Sequence, residues 1–69
     1  MFVQLTTTDG MNVAVNPMAI AVIMERDAEV TAIETTDGNE YTVAEGFRDV
    51  KVKLESALNE RYRRQQINH

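Results

Sequence analysis

The chain has 69 residues, no cysteine, one histidine at its last position and a formal net charge of −4. A chain of this length forms one domain with a small core, and disulfides or thiolate-bound metals are excluded as sources of extra stability. We therefore expect a second subunit to stabilise the core, and we predict a homo-oligomer without a cofactor. The hydrophobic content of 43% is typical of a globular chain.

Hydropathy gives no indication of a membrane segment. A spanning helix needs roughly 20 consecutive apolar residues, and the longest apolar run, MAIAVIM at residues 18–24, is much shorter. The first residues, MFVQLTTTDG, lack the basic start and apolar stretch of a secretory signal. We expect a cytoplasmic protein with no membrane insertion.

Charge is distributed unevenly along the chain. Residues 1–47 contain eight acids and one base, Arg26, for a net charge of −7, and residues 48–69 contain six bases and three acids, for a net charge of +3. An acidic surface repels a phosphate backbone. We therefore do not expect nucleic acid as a partner.

The tetrapeptide TTDG occurs twice, at residues 7–10 and 35–38. Val3, Leu5 and Thr7 alternate with polar residues before the first copy, and this period of two predicts a half-buried strand. Asp-Gly between alternating apolar residues indicates a tight hairpin, because glycine tolerates positive φ. The predicted strands of the two hairpins cover about residues 2–8, 11–16, 30–36 and 40–44.

The segment MAIAVIMER at residues 18–26 follows Asn16-Pro17 and is ambiguous. Methionine and alanine favour a helix, whereas consecutive isoleucine and valine closed by charged residues favour a strand. We predict a strand at about residues 19–25 with apolar side chains on both faces. One face would cover the core and the other would contact another subunit. The predicted subunit interface consists of Ile20, Val22, Ile23, Met24 and Val52.

From Gly46 the apolar period changes to 3.6, which predicts an amphipathic helix at about residues 46–65. Val52 lies roughly opposite the apolar stripe, where it is either a lone exposed valine or a contact with another subunit. The predicted fold class is α+β, with a five-stranded antiparallel meander followed by one C-terminal helix. The apolar stripe of the helix consists of Phe47, Val50, Leu54, Ala57, Leu58 and Tyr62.

No group of residues has the pattern of a catalytic or metal site. Ser56, the one serine, lies in the middle of the predicted helix with no histidine near it in the sequence. The acids near the turns lack the alternating oxygen ligands of a calcium loop. We therefore predict no enzyme activity. Four residues near the helix C-terminus either offset the helix dipole or contact an anionic partner: Arg61, Tyr62, Arg63 and Arg64.

Four stretches resemble the FlbD family of small bacterial proteins linked to flagella and swarming. They are LTTTDG at 5–10, VAVNPMAI at 13–20, DGNEYTVAEG at 37–46 and FRDVKVKL at 47–54. The resemblance covers about residues 2–58 and implies short strands joined by glycine-containing turns, followed by an acidic-capped helix. It assigns no mechanism or site residue to this chain.

The length and element order are also similar to the CsrA family of dimeric RNA-binding proteins. Binding of RNA by that family depends on basic residues at strand edges. In this chain, residues 1–47 offer Arg26 against eight acids, which does not match that pattern.

These observations favour a non-enzymatic homo-oligomeric protein that acts as an adaptor or regulator of another protein. The alternative is an oligomer that captures a small or nucleotide-like ligand, as a phage-encoded anti-defence or inhibitor protein would. A CsrA-like RNA-binding regulator is the third candidate.

Overall fold

A computed structural model of the chain describes residues 1–67, and it describes side chains as far as residue 60. Alternating and β-branched segments form strands, and the segment with a 3.6-residue apolar period forms the helix. The elements in chain order are β1 (Val3–Thr6), β2 (Asn12–Val15), a 3₁₀ turn (Pro17–Ala19), β3 (Ile20–Asp27), β4 (Val30–Thr35), β5 (Glu40–Val43) and α1 (Phe47–Ile67).

The strands form two antiparallel sheets. β1 pairs with β2, and β4 lies between β3 and β5 in a three-stranded sheet. The prediction of antiparallel strands followed by a helix is confirmed, but the prediction of one five-stranded meander is wrong. β2 and β3 do not pair, although they are consecutive.

The break between the sheets has a local cause at the Pro17–Ala19 turn. Proline cannot donate a ladder hydrogen bond, and Pro17 is buried. The side chain of Asn16 accepts a hydrogen bond from the N–H of Met18 at 3.0 Å, and the C=O of Asn16 accepts one from Ala19 at 2.9 Å. This turn redirects the chain before β3 begins.

The two sheets meet instead at β1 and β5, the first and last strands. Thr7 and Val43 form an isolated antiparallel bridge. The N–H of Thr8 donates to the C=O of Thr42 at 3.1 Å, and the N–H of Ala44 donates to the C=O of Thr6 at 2.8 Å. The first hairpin therefore packs beside the end of the last strand.

Both TTDG segments form the same hairpin turn, as predicted. The N–H of Gly10 donates to the C=O of Thr7, and that of Gly38 donates to the C=O of Thr35, each at 3.0 Å. Both glycines have positive φ, 89° for Gly10 and 90° for Gly38. The hydroxyls of Thr7 and Thr35 also donate to the aspartates of their own turns.

The helix and the inner faces of both sheets enclose one apolar core. The N–H of Val50 donates to the C=O of Gly46 at 3.0 Å, which closes the first helical turn. No helix in residues 1–67 combines the length and apolar composition that crossing a membrane requires. The core consists of Val3, Leu5, Val15, Ile33, Val43, Val50, Leu54 and Ala57.

Candidate functional site

Several large apolar side chains lie outside this core and remain in contact with solvent. Apolar surface of this kind, when it is contiguous, commonly marks a binding site. The most exposed is Phe2, at 71%. Four of these exposed apolar residues line two grooves beside α1, namely Met1, Phe2, Val22 and Val52. The exposed large apolar side chains are Met1, Phe2, Met11, Met18, Val22, Tyr41 and Val52.

The first groove lies between β1 and α1, and we call it the β1–α1 groove. Phe2 stands at one side of it and Val52, which is 55% exposed, at the other. Its volume of about 700 Å³ lies in the range of ligand-binding clefts. The residues that line it are Met1, Phe2, Val3, Gln4, Val52, Lys53, Ser56, Ala57 and Glu60.

The backbone of β1 contributes hydrogen-bonding groups to this groove. The N–H of Thr6 donates to the Oε2 atom of Glu45 at 3.0 Å, and its C=O accepts from Ala44, so both groups point away from β2. Backbone groups alternate between the two edges of a strand. Gln4, two residues earlier, therefore directs its N–H and C=O to the same edge as Thr6. Its pairing with Ala14 involves no ladder hydrogen bond.

Glu45 closes one end of the β1 edge. Its carboxylate accepts the N–H of Thr6 through Oε2 and forms an ion pair with Lys53 through Oε1. Its backbone C=O accepts a hydrogen bond from the hydroxyl of Thr31 at 2.7 Å. One residue thus connects β1, β4 and α1. The outer edge of β1 is therefore hydrogen-bonded at Thr6, whereas at Gln4 it faces the β1–α1 groove.

The second groove lies between β3 and α1, and we call it the β3–α1 groove. β3 is an edge strand of its sheet, so one of its two backbone edges has no strand beside it. Val22 is 43% exposed there. The residues that line this groove are Pro17, Ile20, Ala21, Val22, Ile23, Lys51, Leu54, Glu55 and Leu58.

The predicted interface residues divide between these two grooves. Ile20, Val22 and Ile23 line the β3–α1 groove. Met24 lies on the same strand opposite Ala32 and is half-buried. Val52 lines the β1–α1 groove instead, so the structure does not bring it together with the β3 residues.

The predicted anion-contact residues Arg61, Tyr62, Arg63 and Arg64 belong to α1. Their side chains lie outside the described residues, so the predicted contact remains a prediction.

Some of the acids near the turns make local contacts in the described part of the chain. Residues 1–60, whose side chains the structure describes, contain no cluster of three or more histidine, aspartate or glutamate side chains arranged to hold a metal ion. The Thr35 hydroxyl donates to the Asp37 carboxylate and lowers the pKa of Asp37 below its usual value of 3.8, with further hydrogen bonds from Asn39 and the turn backbone acting in the same direction. Arg26 and Glu40 form an exposed ion pair at 3.5 Å, a type that contributes about 0–1 kcal/mol.

Sequence reasoning did not identify the β1–α1 groove. Phe2 falls within the predicted first strand, and Glu45 is only one of the eight acids counted in residues 1–47. The available signal was a bulky apolar residue directly before an alternating strand, together with Val52 outside the apolar stripe. Nothing in the sequence pairs Thr6 with Glu45, which is 39 positions away.

Comparison of the chain with protein-family models, with curated proteins and with solved structures finds no match. The structure by itself shows a small α+β protein with two antiparallel sheets and one helix. The resemblance to the FlbD family stays an expectation.

Proposed function

We propose that this protein is a non-enzymatic binding module that regulates or adapts another protein by holding an extended segment of it in the β1–α1 groove. The single observation that carries this proposal is the free backbone of Gln4 in an apolar groove. Binding of this kind adds a strand to an exposed sheet edge, and main-chain hydrogen bonds supply much of the affinity.

The side chains around Gln4 support a peptide better than a compact ligand. Phe2 and Val52 offer apolar surface on either side of the strand edge, where alternate side chains of an added strand would pack. Phe2 is 71% exposed in the free protein, and aromatic side chains often become the most important contacts of an interface. Glu45 already occupies the β1 edge at Thr6, which limits the added strand to the segment beside Phe2 and Gln4.

A proline substitution tests this proposal directly. Gln4→Pro removes the N–H that faces the groove and leaves the ladder hydrogen bonds to β2 intact, because Gln4 makes none of them. Ala14→Pro is the matched control. Ala14 lies directly opposite Gln4 and also directs its N–H away from the hairpin, but toward the other edge.

The measurement is quantitative mass spectrometry of proteins retained from an extract by the immobilised wild-type chain and by the two variants. We expect at least one retained protein to be lost about tenfold with Gln4→Pro and kept with Ala14→Pro, in accord with the loss of a hydrogen bond and its neighbouring contacts. Val52→Glu should reduce the same protein. Equal retention by both proline variants would contradict binding at the β1 edge.

The other two candidate functions give different results in simple assays. An oligomer that captures a small ligand would carry extra mass in native mass spectrometry and would melt at a higher temperature with that ligand present. An RNA regulator would bind RNA with an affinity that falls steeply as salt rises. Either result, with no protein partner sensitive to Gln4→Pro, would replace the proposed function.

A further inference from the structure

We propose that two copies of the chain join through the free edge of β3, with the two strands antiparallel and the two-fold axis at Ile23. The joined strands would make one six-stranded sheet from the two three-stranded sheets. This surface is separate from the β1–α1 groove, and the inference does not rest on the proposed function.

Hydrogen bonds within the sheet determine which residues of β4 face β3. The N–H of Thr35 donates to the C=O of Asn39 at 2.8 Å, on the side of β5. Because backbone groups alternate, Glu34 and Ala32 direct their N–H and C=O groups toward β3.

Val22 lies opposite Glu34 and Met24 lies opposite Ala32. These two residues of β3 therefore direct their backbone groups toward β4, and Ile23 and Glu25 direct theirs outward. The pairing is irregular between Ile20 and Val22 and again between Glu25 and Asp27. Such irregularities limit pairing along a strand edge. The regular, available edge is the segment 22–25, which suits one short two-fold contact.

A two-fold axis at Ile23 matches apolar side chains with one another. Ile23 lies opposite Ile33 and packs against the core, so the two Ile23 side chains would meet beside α1. Val22 of one copy would lie opposite Met24 of the other on the outer face, twice. A register shifted by two residues in one direction would place Glu25 opposite Ile23, and in the other direction it would place the irregular position Ala21 opposite Ile23. A register shifted by one residue would direct the available backbone groups away from each other.

Charge complementarity identifies the second copy as the occupant of the β3–α1 groove. In this register Glu25 of the second copy lies just beyond the regular segment, beside Ala21 at its irregular end. Ala21 and Lys51 line the same groove. Lys51 and Glu25 are both exposed. Neither forms an ion pair with the described residues of its own chain. Lys51 is also the one cation among the residues that line this groove, beside the acid Glu55. The two-fold axis would create two Lys51–Glu25 pairs.

Charge reversal distinguishes this contact from an intramolecular one. Lys51→Glu and Glu25→Lys should each raise the dimer dissociation constant on the order of tenfold, because two ion pairs become two like-charge contacts. An equimolar mixture of the two variants should recover the wild-type constant, since the mixed dimer contains both pairs with opposite charges. Sedimentation equilibrium measures all three samples. Circular dichroism confirms that each variant is folded.

Arg48→Glu and Glu29→Lys are the matched controls, because both residues are exposed and neither lines the β3–α1 groove. They should leave the dissociation constant unchanged. A monomeric wild-type protein at 0.1–1 mM, roughly the range that separates weak dimers from none, would overturn the proposal. A mixture of Lys51→Glu and Glu25→Lys that dimerises no better than either variant alone would also overturn it. So would control variants that raise the dissociation constant as much as these two do.

Single cysteines test the register, because the natural chain contains no cysteine. Residues that face each other across antiparallel strands have Cα atoms about 5.5 Å apart, which is compatible with a disulfide. Ile23→Cys should form an intermolecular disulfide at least tenfold faster than Met18→Cys under mild oxidation. Faster cross-linking through Met24→Cys than through Ile23→Cys would overturn the register. Protection of Ile23→Cys by a different protein, without self-cross-linking, would assign the groove to that protein.

Discussion

At the scale of single residues, the two TTDG turns show how local chemistry fixes a hairpin. Each glycine has positive φ, and apart from the glycine and its two chain neighbours no residue has a heavy atom within 4 Å of the position that a Cβ would occupy at Gly10 or Gly38. A side chain at either glycine therefore makes the positive-φ backbone conformation less favourable, but it does not clash with the rest of the protein. The same hydrogen bonds also occur in both turns, because the N–H and hydroxyl of the first threonine donate to the C=O four residues later.

Gly38→Ala should lower the free energy of unfolding by about 1–2 kcal/mol, because a Cβ disfavours this backbone conformation. Gly38→Asn should cost less, since asparagine tolerates positive φ. Urea denaturation of the three proteins measures the difference. Equal costs for alanine and asparagine would indicate that the cost does not arise from the backbone conformation.

The aspartate of the second turn predicts a dependence of stability on pH. Hydrogen bonds, first of all that from Thr35, lower the pKa of Asp37 in the folded protein below 3.8. The folded state therefore favours the carboxylate, and this contribution is complete above the unfolded pKa and is lost as the pH falls through the lowered folded pKa. Wild type should be more stable than Asp37→Asn at pH 6.

Urea denaturation of both proteins between pH 7 and pH 2 checks this expectation. The difference in unfolding free energy should shrink below about pH 4, the usual range for aspartate. A difference that stays constant down to pH 2 would show that ionisation of Asp37 does not contribute.

At the scale of elements, Glu45 determines how the first hairpin packs against the rest of the chain. Its side chain is 17% exposed and contacts β1 and α1 through different carboxylate oxygens. β1 and β5 otherwise share the Thr7–Val43 bridge and the two hydrogen bonds beside it. Few residues form the contact between the two sheets, so the Glu45 side chain contributes a large part of its stability.

Glu45→Ala should lower the unfolding free energy by about 1–3 kcal/mol, because the Thr6 N–H loses its acceptor in a partly buried position. Glu45→Gln should cost less, since the amide oxygen can still accept from Thr6 while the ion pair with Lys53 is lost. Hydrogen exchange measures the Thr6 amide directly. We expect faster exchange in Glu45→Ala and near wild-type exchange in Glu45→Gln, and identical exchange in all three proteins would contradict this role.

The elements themselves were predictable from local patterns. Alternation around Val3 and Leu5, Asp-Gly turns and a 3.6-residue period after Gly46 correspond to strands, hairpins and the helix of the structure. The strand predicted at about residues 19–25 corresponds to β3 at Ile20–Asp27, whereas Ala19 belongs to the 3₁₀ turn before it. These features depend on interactions between residues a few positions apart, which a sequence displays directly.

The arrangement of the elements was not predictable in the same way. Asn16-Pro17 indicated the end of a strand, but it did not indicate that the next strand would leave the sheet. The contacts of Thr6 with Ala44 and Glu45 join residues about 40 positions apart, and no periodicity encodes them. The β1–α1 groove depends on those contacts, so the candidate site was also not predictable apart from Val52.

At the scale of the whole molecule, one core joins both sheets and the helix. Leu5 from the first sheet, Ile33 from the second and Val50 from α1 belong to the same buried cluster. Neither sheet encloses a core without the other elements. The two sheets should therefore unfold together, as expected for a small single domain.

Leu5→Ala should lower the unfolding free energy by about 2–5 kcal/mol, because Leu5 is fully buried and its truncation leaves a cavity. In a Tyr62→Phe background, Tyr41 is the one fluorescent tyrosine. Urea titrations followed by circular dichroism and by Tyr41 fluorescence should give coincident transitions in this background with and without Leu5→Ala. Ala14→Gly, at an exposed strand position, is a control with an expected cost of about 1 kcal/mol or less. Separate transitions for the two probes would show that the sheets unfold independently.

The junction between the first and last strands also constrains the order of events during synthesis. The ribosome releases the first hairpin long before the residues that hold it in place, since Val43, Ala44 and Glu45 follow it by more than 25 positions. Formation of a hairpin is fast, whereas contacts between distant parts of a chain are slow to form. Val3 and Leu5 of the hairpin therefore remain exposed to solvent until the residues from Val43 onward have been synthesised and can pack against them.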